Sequence, residues 1–247
     1  MGLTRPAGLP VRGRTALVTG ASSGIGAATA AELSSRGCRV VLVGRDERRL
    51  AEVAGRTGGE PLPADLTDPA GLDRVAAAAR EVDLLVHSAG VGWAGALDSM
   101  PAERIAALAA VNLTAPMLLT RAALPQLRRR RGHVVFVASI AVVGVPGEEV
   151  YSATKAGLRA FAASLRHQDG IGVTTVFPGA VRTPFFAGRR YDRRFPRMVG
   201  PREVAEALVR GVERGEAEVF VPRWLVAPAR LQGALPGTFH RLARHFG

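Results

Sequence analysis

The chain has 247 residues, of which 47% are hydrophobic and 22% charged, and this length suffices for one large α/β domain with a full core. No apolar run approaches the roughly 20 residues that a membrane-spanning helix needs. The net charge of +12 comes from arginines spread along the chain, without a basic patch interleaved with aromatic residues, so we expect no nucleic-acid partner.

The histidines and the cysteine predict neither a metal site nor a disulfide. The five His residues are scattered without the spacing of a zinc site, and Cys38 has no second cysteine to pair with. The first eleven residues contain Arg5, Pro6 and Pro10 but no apolar signal-peptide core. These features are typical of a cytoplasmic protein in a reducing compartment.

A glycine-rich turn links the first predicted strand, residues 15–20, to an alanine-rich helix, residues 27–35. The turn reads Gly20-Ala-Ser-Ser-Gly24-Ile-Gly26. Glycines at such a position allow a tight bend and let a pyrophosphate approach the helix N-terminus closely. The turn therefore predicts a dinucleotide-binding site.

The second predicted strand, Arg39–Gly44, is followed by Arg45 and Asp46. In dinucleotide-binding βαβ units the residue after this strand meets the adenosine ribose. The guanidinium of Arg45 suits a 2′-phosphate and so favours NADP(H) over NAD(H). Asp46 is equally typical of an N-cap for the next helix. Three further residues could share the phosphate: Arg12, Arg14 and Ser22.

Strands and helices continue to alternate through the middle of the chain. Residues 61–66 predict a third strand and turn around Asp65, residues 69–81 a helix, and residues 84–90 a fourth strand that runs into a glycine turn. A long helix over residues 101–131 carries Asn112 in its interior. Because Asn is a poor interior helix residue, Asn112 is predicted either to bend the helix or to bind something.

Tyr151 and Lys155 lie four residues apart on a predicted helix over residues 150–167, so they share one helix face. A neighbouring ammonium favours the phenolate, which lets a tyrosine exchange a proton with a carbonyl or alcohol oxygen near neutral pH. Ser139 ends the fifth strand and could hold the same oxygen. Lys155 is the one lysine among 33 basic residues, which indicates that the site needs a compact ammonium.

The pattern ends with a sixth strand at residues 172–178, a helix at residues 201–214 and a seventh strand at Glu218–Val221. It predicts an α/β fold with a single doubly wound, Rossmann-like, seven-stranded parallel sheet and helices on both faces. We expect residues 1–222 to form the catalytic domain, including a substrate lid at residues 180–200. Residues 223–247 would be a basic amphipathic tail packed on the same domain.

Together the motifs resemble the short-chain dehydrogenase/reductase family over roughly residues 12–222. The resemblance rests on Thr19-Gly20-x-x-x-Gly24-x-Gly26, Asp65, Asn112, Ser139, Tyr151-x-x-x-Lys155, and Pro178-Gly179 followed by Thr183. It implies NAD(P)-dependent oxidation or reduction, with Tyr151 as general acid/base and Ser139 on the substrate oxygen. Lys155 would bind the nicotinamide ribose, and Asn112 would hold a water that links Lys155 to solvent.

The same resemblance places Asp65 near the adenine and Thr183 near the nicotinamide carboxamide. The expected cofactor contacts are Gly20, Ser22, Ser23, Gly24, Ile25, Gly26, Arg45, Asp65, Leu66, Ser88, Ala89, Gly90, Tyr151, Lys155, Pro178, Gly179, Val181 and Thr183. The chain departs from the family at His87, where an Asn is usual. Imidazole can replace only some of the hydrogen bonds of that amide.

The leading hypothesis is an NADP(H)-dependent reductase or dehydrogenase for a small carbonyl or alcohol substrate, which could be lipophilic. One alternative is a 3-oxoacyl-thioester reductase, whose surface arginines would meet an acidic carrier protein. Another is a non-catalytic NADP-binding regulator that keeps the fold. The candidate walls of an apolar substrate pocket are Trp93, Phe185, Phe186 and Phe195.

The tail carries an apolar stripe at helical spacing, interrupted by Pro236-Gly237. Its members are Leu231, Leu235, Phe239, Leu242 and Phe246. Packing on its own domain or across a dimer is the favoured interpretation; a membrane interface and a lid over a lipophilic substrate remain alternatives. The family resemblance also implies a homodimer or homotetramer built through the two long helices.

Overall fold

The computed structural model describes residues 8–186, 197–235 and 237. Its strands are β1 (Thr15–Thr19), β2 (Arg39–Gly44), β3 (Glu60–Pro63), β4 (Leu84–His87), β5 (His133–Val137), β6 (Gly172–Pro178) and β7 (Glu218–Val221). They form one sheet in the order β3-β2-β1-β4-β5-β6-β7, and every pairing is parallel. The predicted seven-stranded parallel α/β fold is confirmed.

Helices cover both faces of this sheet. They are α1 (Gly24–Ser35), α2 (Glu47–Thr57), α3 (Pro69–Ala79), α4 (Ala102–Ala109), α5 (Ala115–Arg130), α6 (Glu149–Leu165), α7 (Pro201–Glu213) and α8 (Val226–Ala234). Side chains of α1, α2 and α7 share a hydrophobic cluster with one face of the sheet. Side chains of α3, α5 and α6 share a second cluster with the other face. The sheet is therefore the middle of three layers.

The strands read as continuous apolar runs because both faces of the sheet are buried. Successive side chains of a strand point to opposite faces. In β1, Ala16 and Val18 belong to the cluster beneath α1 and α7, whereas Leu17 belongs to the cluster beneath α5 and α6. All three side chains are fully buried.

The strand order opens a crevice at one edge of the sheet. β1 pairs with β2 on one side and with β4 on the other. The chain moves outward from β1 to β3 in one direction and from β4 to β7 in the other, so the loops after β1 and β4 diverge. Ligands of such sheets bind at the carboxyl ends of the strands, at this point of divergence.

The predicted helix over residues 101–131 is interrupted at Asn112. A π-helical turn, Ala110–Thr114, separates α4 from α5, and Asn112 lies fully buried within it. A π-turn inserts an extra residue into the helix and often marks a functional site. The prediction that Asn112 distorts its helix is consistent with this turn.

One helical stretch in the described part of the chain, Ala102–Arg130, is long and apolar enough to cross a membrane by length and composition alone. Helices that cover a sheet pass the same test. The inner side of α5 packs in this way, because Leu119, Ala123 and Leu127 are fully buried in the cluster on the sheet.

The first part of the tail folds back onto the domain. α8 packs against the 3-10 turn Ile140–Val143 and buries Ala229, and Leu225, the residue directly before the helix, is buried as well. Leu231 is half-buried and Leu235 is 55% exposed, so the first two members of the apolar stripe are not the buried side of this helix. The remaining members, Phe239, Leu242 and Phe246, lie outside the described residues.

Two histidines are buried in the sheet as neutral rings. His87 Nε2 lies 2.9 Å from Thr120 Oγ1, and His133 Nε2 lies 2.8 Å from Thr174 Oγ1. Among the described residues, Nδ1 of each ring has no hydrogen-bond partner. Burial lowers the pKa of each histidine to about 3, because a charged imidazolium would lose its hydration.

These two histidines predict that the protein loses stability in mild acid. The unfolded chain takes up protons at the ordinary histidine pKa of about 6.5, whereas the folded chain stays neutral down to a pH near 3. The free energy of unfolding should fall between these pH values by up to about 1.4 kcal/mol per pH unit for each histidine. Urea unfolding at pH 7.5, 6 and 5 measures this slope.

Two variants test whether the buried histidines cause this pH dependence of the free energy of unfolding. His133→Gln keeps a group that can bond Thr174 but cannot take up a proton, so the slope should become shallower. His167→Gln removes an exposed histidine and should leave it unchanged. Equal slopes in the wild type and His133→Gln would contradict the assignment.

Candidate active site

A cavity of about 1010 Å³, lined by described residues, lies at the carboxyl ends of the strands. The loops after β1 to β6 all contribute to its walls. All eighteen residues predicted to contact the cofactor line it, and so does Ser139. Asn112 does not line it. The topology therefore brings together residues that are separated by more than 160 positions in the chain, from Gly20 to Thr183.

The glycine-rich turn shows why glycine is required after β1. Gly20 has φ +70°, and a Cβ there would come within 2.8 Å of the Ala89 backbone. A Cβ at Gly26 would lie 2.2 Å from the carbonyl oxygen of Gly20, so α1 approaches β1 closely only without one. Thr19 fixes the neighbouring loop, because its Oγ1 accepts hydrogen bonds of 3.1 Å from the Ser88 and Ala89 N–H groups.

The N-terminus of α1 opens towards this cavity. Its N-cap, Ser23, makes no side-chain capping bond, and its first turn contains no acidic residue. The first backbone N–H groups of a helix have no partner within it and carry partial positive charge. A bare turn beside such N–H groups fits a pyrophosphate. The cavity residues thus fit the dinucleotide that the motif predicts.

Arginines and acids line the end of the cavity beyond β2. Arg45 Nη1 lies 3.7 Å from Asp65 Oδ2, and both side chains are substantially exposed. Burial alone would raise the pKa of Asp65, but hydrogen bonds from Thr67 and the charge of Arg45 lower it overall. Asp65, in the loop after β3, is therefore an anion that holds the Arg45 side chain beside that loop.

The arginines predicted to assist Arg45 need correction. Arg12 contacts Gly37, and Arg14 forms an ion pair with Asp83 at the other edge of the sheet, so neither lines the cavity. Arg49 lines it instead. Arg49 follows Arg45 by four residues, and its Nε lies 3.2 Å from Asp46 Oδ2 of the N-cap. The four-residue spacing of Arg45 and Arg49 at the start of α2 could have predicted from the sequence that both face the cavity.

Tyr151 and Lys155 lie one above the other in the first turns of α6, as their spacing predicts. Lys155 Nζ is 5.8 Å from the centre of the Tyr151 ring and donates a 2.9 Å hydrogen bond to the carbonyl oxygen of Val137, the last residue of β5. Lys155 is only 4% exposed, and burial lowers the pKa of its ammonium to about 8. The cation therefore persists at neutral pH close to the phenol.

Ser139 faces the same cavity from the end of β5. It caps the 3-10 turn Ile140–Val143, since its Oγ accepts a 3.0 Å hydrogen bond from the Ala141 N–H. A serine hydroxyl has one proton and two lone pairs. With one lone pair occupied by Ala141, the Ser139 proton can be donated to an oxygen in the cavity.

Asn112 lies behind the cavity wall and holds the loop after β4. Its Oδ1 accepts a 2.9 Å hydrogen bond from the Val91 N–H, and its Nδ2 donates a 2.8 Å hydrogen bond to the Val91 carbonyl. Val91 lines the cavity next to Gly90. The side chain of Asn112 thus fixes a cavity loop through backbone hydrogen bonds.

His87, the departure from the family pattern, lies outside the cavity lining. It stacks on Phe136 with ring centres 5.0 Å apart and is 2% exposed. It is a buried histidine with one of its two ring nitrogens hydrogen-bonded.

The wall beside Tyr151 is mainly apolar. Phe185 lies against Tyr151 with ring centres 5.5 Å apart. Further apolar residues of this wall are Val91, Val111, Ile140, Ala141 and Val145. Their positions depend on loop conformations that no sequence motif marks.

Trp93 was predicted to be a second cavity wall and is not. Trp93 does not line the cavity and packs instead against the apolar cluster of Met100, Leu108, Ala141 and Tyr151. Phe185 is the one predicted wall residue whose side chain is described in the cavity. The side chain of Phe186 is not described, and Phe195, with residues 187–196 of the predicted lid, lies outside the described residues.

The family model for short chain dehydrogenases matches residues 14–194. The chain belongs to the short-chain dehydrogenase/reductase family. An uncharacterized oxidoreductase of Myxococcus xanthus is 38% identical over 238 residues, covering 90% of this chain and 93% of the relative. The ketoacyl reductase HetN of a Nostoc species is 32% identical over 228 residues, covering 85% of this chain and 78% of HetN.

Solved structures share the fold along most of both chains. A short-chain dehydrogenase of Sphingobium yanoikuyae in complex with NADPH has a TM-score of 0.79 and 32% identity, covering 91% of this chain and 96% of that one. A bulky-bulky ketone specific alcohol dehydrogenase of Comamonas testosteroni has a TM-score of 0.76 and 29% identity, covering 91% and 94%. A Burkholderia phymatum family member in complex with NAD, at 24% identity and TM-score 0.81, covers 92% and 95% and shares the fold. The chain is accordingly an oxidoreductase of the CH–OH/C=O class.

The buried site of Lys155 predicts that arginine cannot replace it. The ammonium fits between the Val137 carbonyl and the Tyr151 ring with almost no exposed surface. The wider, planar guanidinium of Lys155→Arg should displace the tyrosine and lower the rate of hydride transfer by about 100-fold. Steady-state assays of cofactor oxidation measure it.

Arg202→Lys is the matched control, because Arg202 is 88% exposed on α7 and lies outside the cavity. It should keep the wild-type rate. Full activity of Lys155→Arg would show that charge alone is sufficient at this position.

Proposed function

We propose that the protein is an NADP(H)-dependent oxidoreductase that interconverts a ketone and a secondary alcohol. The convergence of Ser139, Tyr151 and Lys155 on one wall of the dinucleotide cavity carries this proposal. When bound, the nicotinamide supplies or accepts the hydride. The chain supplies the proton and holds the substrate oxygen.

Tyr151 acts as general acid when the carbonyl is reduced and as general base when the alcohol is oxidised. Its phenol gives a proton to the carbonyl oxygen, or accepts the hydroxyl proton, while Ser139 donates a hydrogen bond to the same oxygen. The nearby Lys155 ammonium stabilises the phenolate form electrostatically. Asn112 keeps the opposite loop in place through Val91.

Two arginines support NADP(H) as the preferred cofactor. Arg45 and Arg49 line the adenosine end of the cavity beside Ser22, and a guanidinium binds a phosphate through charge-assisted hydrogen bonds. The Sphingobium structure in complex with NADPH is in line with this choice. The Burkholderia family member was solved in complex with NAD, so the preference is argued from Arg45 and Arg49 and not from the fold.

The apolar wall supports an uncharged, bulky ketone as substrate. Phe185, Ile140 and Val145 offer hydrophobic surface next to Tyr151, and such surface selects substrates by the area they bury. The alcohol dehydrogenase of Comamonas testosteroni, described as specific for bulky-bulky ketones, favours this class. A 3-oxoacyl-thioester reductase is the second candidate, because the relative HetN is named a ketoacyl reductase.

A homodimer or homotetramer is the expected assembly. Ile105 of α4 and Leu118 of α5 are 39% and 41% exposed, so the first of the two stretches predicted to pair, residues 101–131, presents apolar side chains to solvent. Cytoplasmic localisation remains a prediction from the sequence.

The decisive experiment is a panel of bulky ketones and acyl thioesters assayed with NADPH, in the wild type and in Tyr151→Phe. Removing the phenolic proton should lower the rate with the accepted substrate by about 10²- to 10⁴-fold. Turnover of the thioesters alone would favour the second candidate. Undiminished hydride transfer in Tyr151→Phe would overturn the acid–base assignment.

Cofactor preference is predicted to depend on Arg45. NADPH should bind more tightly than NADH, and Arg45→Asp should reverse the order, because one charge-assisted phosphate contact is worth about 1.5–3 kcal/mol, or ~10- to 150-fold in affinity. Fluorescence titration with both cofactors measures it.

Arg48→Ala is the control for this comparison. Arg48 lies three residues after Arg45, in the first turn of α2, but its side chain is 73% exposed, pairs with Glu52 and does not line the cavity. Its substitution should leave the preference unchanged. Equal affinities of the wild-type protein for NADPH and NADH would refute the role of Arg45.

A further inference from the structure

A buried hydroxyl joins the turn that carries Tyr151 to the loop after β4. Thr154 is 5% exposed, and its Oγ1 donates a 2.8 Å hydrogen bond to the carbonyl oxygen of Tyr151. The same oxygen accepts a 3.1 Å hydrogen bond from Asn112 Nδ2. Asn112 is in turn bonded to both backbone groups of Val91. The connection thus runs without a gap from the cavity loop to α6.

The hydrogen bonds between Asn112, Thr154 and Tyr151 all point the same way: the Asn112 amide donates to the Thr154 hydroxyl, which donates to the Tyr151 carbonyl. The threonine hydroxyl has a single proton, which goes to Tyr151, and a lone pair, which receives the amide of Asn112. The two amide protons of Asn112 are divided between Val91 and Thr154. Because Asn112 and Thr154 are buried, water cannot replace a lost partner at low cost.

The connection acts on the backbone of the first turn of α6. A threonine bonded to the carbonyl three residues earlier restrains that turn locally. Here the restrained carbonyl belongs to Tyr151, and Asn112 links the restraint to the loop after β4. A Cβ on Gly90 would lie 3.4 Å from Asn112 Oδ1 and 3.6 Å from Lys155 Nζ. Gly90 of this loop, Asn112 and Lys155 are therefore neighbours.

We propose that Thr154 is a positioning residue that fixes the Tyr151 phenol relative to the cavity wall formed by the loop after β4. This role rests on the proposed acid–base function of Tyr151. Thr154 itself does not line the cavity and takes no part in proton transfer. It determines where the backbone of Tyr151 is held.

Thr174 provides a matched comparison elsewhere in the core. It is also buried, its Oγ1 lies 2.8 Å from His133 Nε2, and it donates a 2.7 Å hydrogen bond to the Glu216 carbonyl. Like Thr154, its hydroxyl is bonded to one side-chain nitrogen and one backbone carbonyl. Thr174 also lies outside the cavity. A purely structural hydroxyl should behave as Thr174 does.

The test compares Thr154→Val, Thr154→Ser and Thr174→Val, using NADPH and whichever ketone the wild type reduces. Thr154→Val loses both hydrogen bonds at nearly constant volume, and a displaced phenol should lower kcat by about 10- to 100-fold. KM for the ketone should change less, because the apolar wall is intact. Thr154→Ser keeps the hydroxyl and should restore most of kcat.

Thr174→Val should lower the melting temperature and leave kcat unchanged. Wild-type kcat in Thr154→Val, with a lowered melting temperature like that of Thr174→Val, would overturn the positioning role. If Thr154→Val does not fold, Thr154→Ala is assayed below its melting temperature, and wild-type kcat there would have the same meaning. Failure of the proposed function is separately visible as undiminished activity of Tyr151→Phe.

Discussion

The site depends on keeping a positive charge inside the protein. An ammonium that loses its hydration is costly unless other groups solvate it. At Lys155 the Val137 carbonyl and the face of the Tyr151 ring take the place of water, and the remaining cost appears as a pKa lowered to about 8. The Lys155 ammonium therefore stays charged at neutral pH because it lies where β5 ends against α6.

The fold makes this placement possible because all its strands end at the same edge. Parallel strands require crossover helices, which bury both faces of the sheet and leave the loops after the strands as the place for polar chemistry. The same edge receives the N-terminus of α1, the pair Arg45 and Asp65, and the hydroxyl of Ser139. The apolar clusters on the two faces of the sheet stabilise the fold, and the loops after the strands carry the residues of the site.

Motifs defined by the backbone could be read from the sequence, whereas contacts set by loop conformation could not. The sheet, the glycine-rich turn and the face shared by Tyr151 and Lys155 follow from short-range periodicity and steric rules. Trp93 was misplaced because a loop after β4 can turn an aromatic ring either into the cavity or behind it. Arg12 and Arg14 were misplaced because they precede β1 and so lie at its amino end, whereas the cavity forms at the carboxyl ends of the strands.

The pair Arg45 and Asp65 shows how the adenosine end can hold a cation ready for a phosphate. With side chains 63% and 39% exposed and atoms 3.7 Å apart, this ion pair stabilises the fold by at most about 1 kcal/mol. A charge-assisted contact between a guanidinium and a phosphate contributes about 1.5–3 kcal/mol. On these magnitudes, the proposed binding of a 2′-phosphate would let Arg45 exchange the carboxylate for the phosphate with a net gain. Asp65 keeps the arginine near that position when no phosphate is present, and its own carboxylate remains satisfied by Thr67 after the arginine has moved.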